Sequence, residues 1–174
     1  MPFSGVVSVI IILLLAATPC LSQASFIVTD KASSLKLIGR GDGPDVEFIG
    51  SVQLSGRFVA RRQQYNEQAP YLDLTFYPDG KSARLLPRYR SDGPVNDLTI
   101  SNSKKAGPML FDVDTIEKVL NQELPGATVA ATATIRNYRM GVSCDQHWRS
   151  ADLVSISSRQ QVAALPQENT RVGC

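Results

Sequence analysis

The side chains best suited to chemistry lie together in the stretch MGVSCDQHWRSADLVSI, residues 140 to 156. Cys144, Asp145, His147 and Trp148 fall within five consecutive positions there. A thiol nucleophile with a histidine base, a zinc site and a disulfide anchor all use residues of these types. The three interpretations make different demands on the rest of the chain.

Nucleophilic catalysis would require the side chains of Cys144 and His147 to converge. Residues three apart in an extended segment point to opposite faces, so convergence requires a turn between them. His147 is the only histidine, and the sequence has no G-x-S-x-G motif. The glycine-rich segment at 39–43 lacks the G-K-[ST] ending of a phosphate-binding loop. We therefore predict no catalytic residue, and an exported hydrolase centred on His147 remains the alternative.

The cysteines favour a disulfide over a metal site. Zinc accepts Cys, His and Asp ligands, but a second Cys/His pair at a standard spacing is missing. We predict no metal and no cofactor. Cys144 and Cys174 are the cysteines that remain after the predicted signal peptide, and an even pair in an oxidising compartment is most simply a disulfide. Its loop of about 30 residues corresponds to about 3–4 kcal/mol of loop-closure entropy.

The segment from Met1 to Ala24 is typical of a signal peptide. It contains no charged side chain, and its apolar run from Val6 to Ala17 is about a dozen residues long. A bilayer span needs about 20 apolar residues, so this run is too short for one. Small residues at Ser22 and Ala24 predict cleavage after Ala24 and a secreted or periplasmic protein. Cys20 raises lipidation as an alternative, although the preceding Pro19 fits a lipidation site poorly.

Removal of the segment 1–24 leaves a chain of about 150 residues, which suffices for one domain with its own core. We expect a flexible lead-in at 25–45, a folded domain at 46–156 and a polar C-terminal tail at 157–174. The predicted disulfide would tie this tail to the domain. No transmembrane segment is expected in the mature chain.

Apolar residues alternate with polar ones in several segments, which predicts strands with one buried face. In one segment these residues are Val52, Leu54 and Phe58, and in the next they are Leu72, Leu74 and Phe76. Shorter strands are expected at Leu98 to Ile100 and at 151–156, and a long one at 127–135. We also expect an extended segment from Ser82 to Leu86.

One helix is predicted, at about 114–123, before the last two strands. Asp114 and Glu117 have the spacing of a capping box, and four apolar residues share one face: Ile116, Val119, Leu120 and Leu124. Pro125 and Gly126 end the segment. The order predicts a mainly β fold, a small barrel of five to six strands.

Two stretches resemble the OB-fold family. They are Leu54 to Phe58 in the first strand region, and Leu124 to Gly126 leading into Thr128 to Ile135. The resemblance covers about residues 46–156 and implies an OB-like barrel; a lipocalin-like barrel or a sandwich remains the alternative. Members that bind nucleic acid place stacking aromatics on strands two and three. The third strand here offers Thr99 and Ser101, so we expect no nucleic-acid partner.

Arginines and tyrosines supply the candidate binding surface. Between positions 57 and 90, seven basic residues occur with three acidic ones. Arginine binds carboxylates and phosphates bidentately, and tyrosine is enriched at interfaces. The candidate residues are Tyr71, Tyr77, Arg84, Arg88, Tyr89 and Arg90. They predict a non-catalytic binding or accessory domain of the cell envelope, for an anionic glycan, an envelope component or an acidic protein surface. A purely structural envelope protein is the third alternative.

Overall fold

The computed structural model describes residues 27–40, 45–144 and 146–166. The described strands are β1 (Ile27–Val28), β2 (Lys36–Arg40), β3 (Val46–Gln63), β4 (Tyr71–Pro78), β5 (Arg88–Tyr89), β6 (Leu98–Ile100), β7 (Ala127–Ser143), β8 (Gln146–Arg159) and β9 (Ala163–Ala164). The described helices are α1 (Ser82–Leu85), α2 (Ser103–Leu110) and α3 (Val113–Leu120). The prediction of a mainly β fold is confirmed. The predicted signal peptide, Asp145 and Cys174 lie outside the described residues.

Seven strands form one sheet in the order β2-β3-β4-β6-β8-β7-β9, and β3 pairs with β7 as well as with β4. The β6–β8 pair is parallel, whereas the other pairs are antiparallel. The pairings therefore lead from β3 through β4, β6, β8 and β7 back to β3. β1 and β5 form a separate two-stranded sheet.

The alternating pattern of the sequence indicates which side chains of the strands form the core. On β3 and β4 the predicted apolar residues are buried, and Phe58 pairs directly with Phe76. The centroids of these two rings are 4.4 Å apart. On β7 the odd-numbered residues from Ala127 to Ile135 are buried, as their alternation predicts. The single-faced strands predicted for these segments are confirmed.

Strand β3 is 18 residues long and pairs with β2, β4 and β7. Its backbone is irregular near Gly50, whose φ of 102° is one that glycine adopts readily. A Cβ at Gly50 would overlap the carbonyl oxygen of Ser34. The register with β7 shifts between Phe48 and Ser51, at the same place. Such an irregularity bends a strand, so β3 contributes to pairings on several sides of the core.

The prediction of a single helix, at 114–123, is wrong, and so is the prediction that Asp114 caps it. The described chain has three helices, and α3 begins at Val113 because Asp112 caps it. The Asp112 carboxylate accepts hydrogen bonds from the amide and the hydroxyl of Thr115, at 2.8 Å and 3.0 Å. Asp114 instead pairs with Lys118 at 2.7 Å. The predicted apolar face is confirmed: Val119 is buried, and the other three apolar residues pack against the core.

Two segments are helical where the sequence pattern predicts no helix. The extended segment predicted from Ser82 to Leu86 is wrong, because Asp79 accepts hydrogen bonds from the amides of Lys81 and Ser82 and starts α1 there. In α2, Gly107 faces Leu72 so closely that a Cβ would lie 3.1 Å from its Cδ2. Packing against β4 therefore stabilises a segment whose glycine and proline disfavour a helix.

Strands also form in the described parts of the two flanking segments. The lead-in predicted at 25–45 contains β1 and β2, and Leu35 is buried in the core. At the other end, β8 extends to Arg159, and β9 pairs Ala163 and Ala164 with the start of β7. These described residues pair with the edges of long neighbouring strands, which can accept further pairs.

Replacement of Gly56 by alanine tests the close packing between β3 and β4. A Cβ at Gly56 would overlap the carbonyl oxygen of Tyr77 and lie 2.8 Å from the Phe76 ring. We expect Gly56→Ala to lower the free energy of unfolding by about 1–3 kcal/mol, measured by urea denaturation. Gly80→Ala is the matched control, because no described atom lies within 4 Å of its Cβ position. Equal stability of the two variants would contradict this account of the packing.

Candidate functional site

A groove of about 500 Å³ lies on β3, β4, β7 and the end of β8. We call it the Arg57–Arg159 groove. Its small lining residues are Gly56, Ala130 and Ala131, and its main polar ones are Ser55, Arg57, Tyr77, Asp79, Thr132 and Arg159. The volume falls within the roughly 300–1,000 Å³ of small-molecule sites.

Strands β3, β4 and β7 meet beneath the groove. Gly56 of β3 pairs with Pro78 of β4 on one side and with Ala131 of β7 on the other. The two pairings also use the backbone hydrogen-bonding groups of β3, so recognition in the groove depends on side chains.

Arg57 and Arg159 give the groove its positive charge. Arg57 pairs directly with Tyr77 across β3 and β4, and its guanidinium carbon lies 5.4 Å from the centre of the Tyr77 ring. Nη1 of Arg159 donates to the carbonyl oxygens of Met109 and Leu110 at 3.3 Å and 3.1 Å. These contacts orient both guanidinium groups. Among the described residues, neither arginine has a carboxylate partner.

The remaining polar groups add one negative charge and several neutral donors and acceptors. The hydroxyl groups of Ser55 and Thr132 lie 2.8 Å apart and share a hydrogen bond. The amide of Ser82, with its side chain and the amide of Lys81, lowers the pKa of Asp79 below its usual value. Asp79 is therefore charged at neutral pH and its bonds to α1 are lost only in acid. The charged lining residues carry a net positive charge.

The structure divides the candidate surface proposed from the sequence. Tyr71 and Tyr77 both face away from the core on β4, as predicted. They are six residues apart on this strand, which corresponds to about 20 Å. Tyr77 lines the Arg57–Arg159 groove, whereas Tyr71 packs against Tyr65 with ring centroids 6.0 Å apart.

The other predicted residues lie around β5. Arg84 and Arg88 line a second pocket of about 270 Å³, together with Asp30. Arg88 also donates to the backbone oxygen of Asp92. Arg90 is exposed, and the ring of Tyr89 lies against that of His147.

The two arginines of the groove are only partly indicated by the sequence. Arg57 belongs to the charged region between positions 57 and 90, but the same pattern gives no signal for Arg159. Their shared groove depends on strand register, which no local pattern indicates.

The histidine of the CDQHW stretch belongs to a partly buried polar cluster. Its Nδ1 lies 2.6 Å from Oδ1 of Asp92, and Arg149 bonds the other oxygen of this carboxylate. The side chains of Asp92 and Arg149 are 10% and 12% exposed. Nearby, burial raises the pKa of Tyr138, whose hydroxyl donates to the carbonyl of Pro87 at 2.8 Å. These hydrogen bonds and ion pairs connect the 87–92 segment to β7 and β8.

Cys144 does not join this cluster. It is exposed in the turn between β7 and β8, with φ of 48°, so the turn that convergence would need is present. However, Nδ1 of His147 faces Asp92 rather than Cys144. Cys144 forms no disulfide within the described ranges, and its predicted partner Cys174 lies outside them. The same ranges contain no group of three or more His, Cys, Asp or Glu residues that could hold a metal ion.

Comparison of the chain with known protein families, with curated proteins and with solved structures found no match in any of the three. In the described part of the chain, no helix has both the length and the apolar character needed to cross a membrane. The function must therefore be inferred from the geometry of the groove and of the polar cluster.

Replacement of Asp92 by asparagine tests the structural role of the cluster. It would leave the Arg149 guanidinium, which is mostly buried, without its charge partner. We expect Asp92→Asn to lower the free energy of unfolding by about 3–5 kcal/mol. Asp114→Asn is the control, because its pair with Lys118 is exposed and contributes less than about 1 kcal/mol. A loss at Asp92 no larger than that of the control would contradict the role assigned to the cluster. Urea denaturation measures both.

Proposed function

We propose that this protein is an exported, non-catalytic binding domain that holds an anionic ligand in the Arg57–Arg159 groove. One observation carries the proposal: two oriented arginines line the same groove, and the described residues supply neither with a carboxylate partner. A planar guanidinium binds a carboxylate or phosphate group through two parallel hydrogen bonds. A ligand carrying such groups would supply the missing negative charge.

We propose an OB-like barrel as the scaffold of this site. A barrel requires each wall strand to pair on both sides, and the pairings from β3 back to β3 meet this condition. In such a scaffold Gly56 and Ala131 would be fixed by the sheet rather than by a loop. This rigidity favours binding because little conformational entropy is then lost when a ligand enters the groove.

We also propose export and the Cys144–Cys174 disulfide, which the features of the segment 1–24 and the cysteine count support. Ala164 pairs with Ala127 at the start of β7, whereas Cys144 directly follows the last residue of this strand. A straight strand from Ala127 to Cys144 spans about 56 Å, and the chain from Ala164 to Cys174 spans at most about 36 Å. A disulfide within one chain therefore requires β7 to bend, which is consistent with its three register shifts against β8.

The intact mass of unreduced protein recovered from the exported fraction tests both points. We expect a monomer that starts at Ser25 and is two hydrogens lighter than the reduced chain. A mass that includes the segment 1–24 would contradict cleavage. A covalent dimer, or two free thiols, would contradict a disulfide within one chain.

The hydrolase alternative has one observation in its favour. A carboxylate on Nδ1 of a histidine is the arrangement that orients a general base, and Asp92 occupies this position at His147. Arg149 shares the same carboxylate, however, so Asp92 also neutralises a mostly buried guanidinium. We therefore propose a structural role for the pair. A hydrolase would show esterase activity that His147→Ala abolishes without a change in the unfolding midpoint.

Charge-neutral variants of the arginines test the proposed function. We expect Arg57→Gln and Arg159→Gln each to weaken the binding of trigalacturonate, measured by isothermal titration calorimetry, by about tenfold, because each removes a charge-assisted hydrogen bond. The matched control is Arg84→Gln, which removes the same charge from the second pocket. If Arg84→Gln weakened binding and the two groove variants did not, the ligand would bind at the second pocket and the proposal would be wrong.

A further inference from the structure

We infer that the ligand of the Arg57–Arg159 groove is an acidic saccharide, that is, an oligosaccharide whose sugar units carry carboxylates. This inference rests on the proposed function, because it identifies the class of anion that the groove binds. It follows from the neutral groups of the lining, from its one aromatic ring and from the paired state of β3.

The neutral lining groups suit a ligand with many hydroxyl groups. Ser55 and Thr132 use one hydrogen bond between themselves, and each hydroxyl keeps further capacity as donor or acceptor. Ser158 and Gln160 add two more neutral polar side chains to the same groove. A simple anion such as phosphate needs only the arginines, whereas a sugar unit offers hydroxyl partners to all four neutral residues.

Tyr77 provides an apolar surface beside these groups. It is the one aromatic residue in the described lining, and Arg57 lies over its ring. A sugar has an apolar C–H face that can cover an aromatic side chain while its hydroxyl groups reach polar neighbours. Single-stranded nucleic acid, by contrast, is held by successive aromatic residues on which several bases stack.

The pairing of β3 disfavours a peptide that binds as an added strand. Extended peptides gain affinity from main-chain hydrogen bonds to an open strand edge. At the groove, β3 pairs with β4 from Gly56 to Gln63 and with β7 from Ser51 to Ala60. Its edges are therefore occupied, and an acidic peptide could not add to β3 as a strand there.

Three probes of matched size distinguish the outcomes in calorimetric titrations of the full chain. They are trigalacturonate, the neutral trisaccharide of galactose, and triglutamate. We expect trigalacturonate to bind at least tenfold more tightly than either of the others. If triglutamate bound equally well in the groove, the proposed function would stand and the saccharide inference would be wrong. If neither anion bound, both would be wrong, and preferential binding of the neutral sugar would also overturn both.

Two variants test the assigned contacts. Thr132→Val removes the hydroxyl at nearly constant volume. We expect it to lower the affinity for trigalacturonate about threefold to tenfold and the affinity for triglutamate less than twofold. Tyr77→Ala should lower the affinity for trigalacturonate at least tenfold. Its control is Tyr71→Ala on the same face of β4, which should change the affinity less than twofold. Equal losses for the two tyrosine variants, or no effect of Thr132→Val in a protein with an unchanged unfolding midpoint, would overturn the inference.

Discussion

The pairing of β3 on both sides is the constraint on which the rest of the structure depends. β4 and β7 use opposite edges of the same strand, so its residues must fit two neighbours at once. Where Phe58 meets Phe76, this double pairing packs aromatic rings into the core. On the other face of β3, the outward-facing Ser55 and Arg57 line the groove. The core and the groove are therefore two results of the same pairing, a few residues apart.

Sequence patterns predict the parts of this fold that are determined locally. Alternation alone identifies the buried faces of β3, β4 and β7, because successive side chains of a strand point to opposite faces and apolar residues therefore recur at every second position. Helix α2 escapes such prediction because its Gly107 packs against the distant Leu72. No feature of a local window indicates such contacts.

The same distinction applies to the candidate site. The outward direction of Tyr77 follows from alternation, and so does that of Arg57. Their meeting depends on the register of β3 with β4, and the position of Arg159 depends on the path of β8. The CDQHW stretch gives a further example, since His147 on β8 binds Asp92, which precedes β6 in the chain. Closeness in sequence suggests a site with Cys144, but the carboxylate partner of the histidine comes from the 87–92 segment.

The most direct test of anion binding between Arg57 and Arg159 is a titration of isotope-labelled protein with trigalacturonate, followed through the amide resonances in NMR spectra. We predict that the largest shifts occur at Gly56, Ala131 and Gln160, with little change from Arg84 to Arg90. Shifts centred on Arg84 to Arg90, or no shifts at millimolar ligand, would contradict binding in this groove.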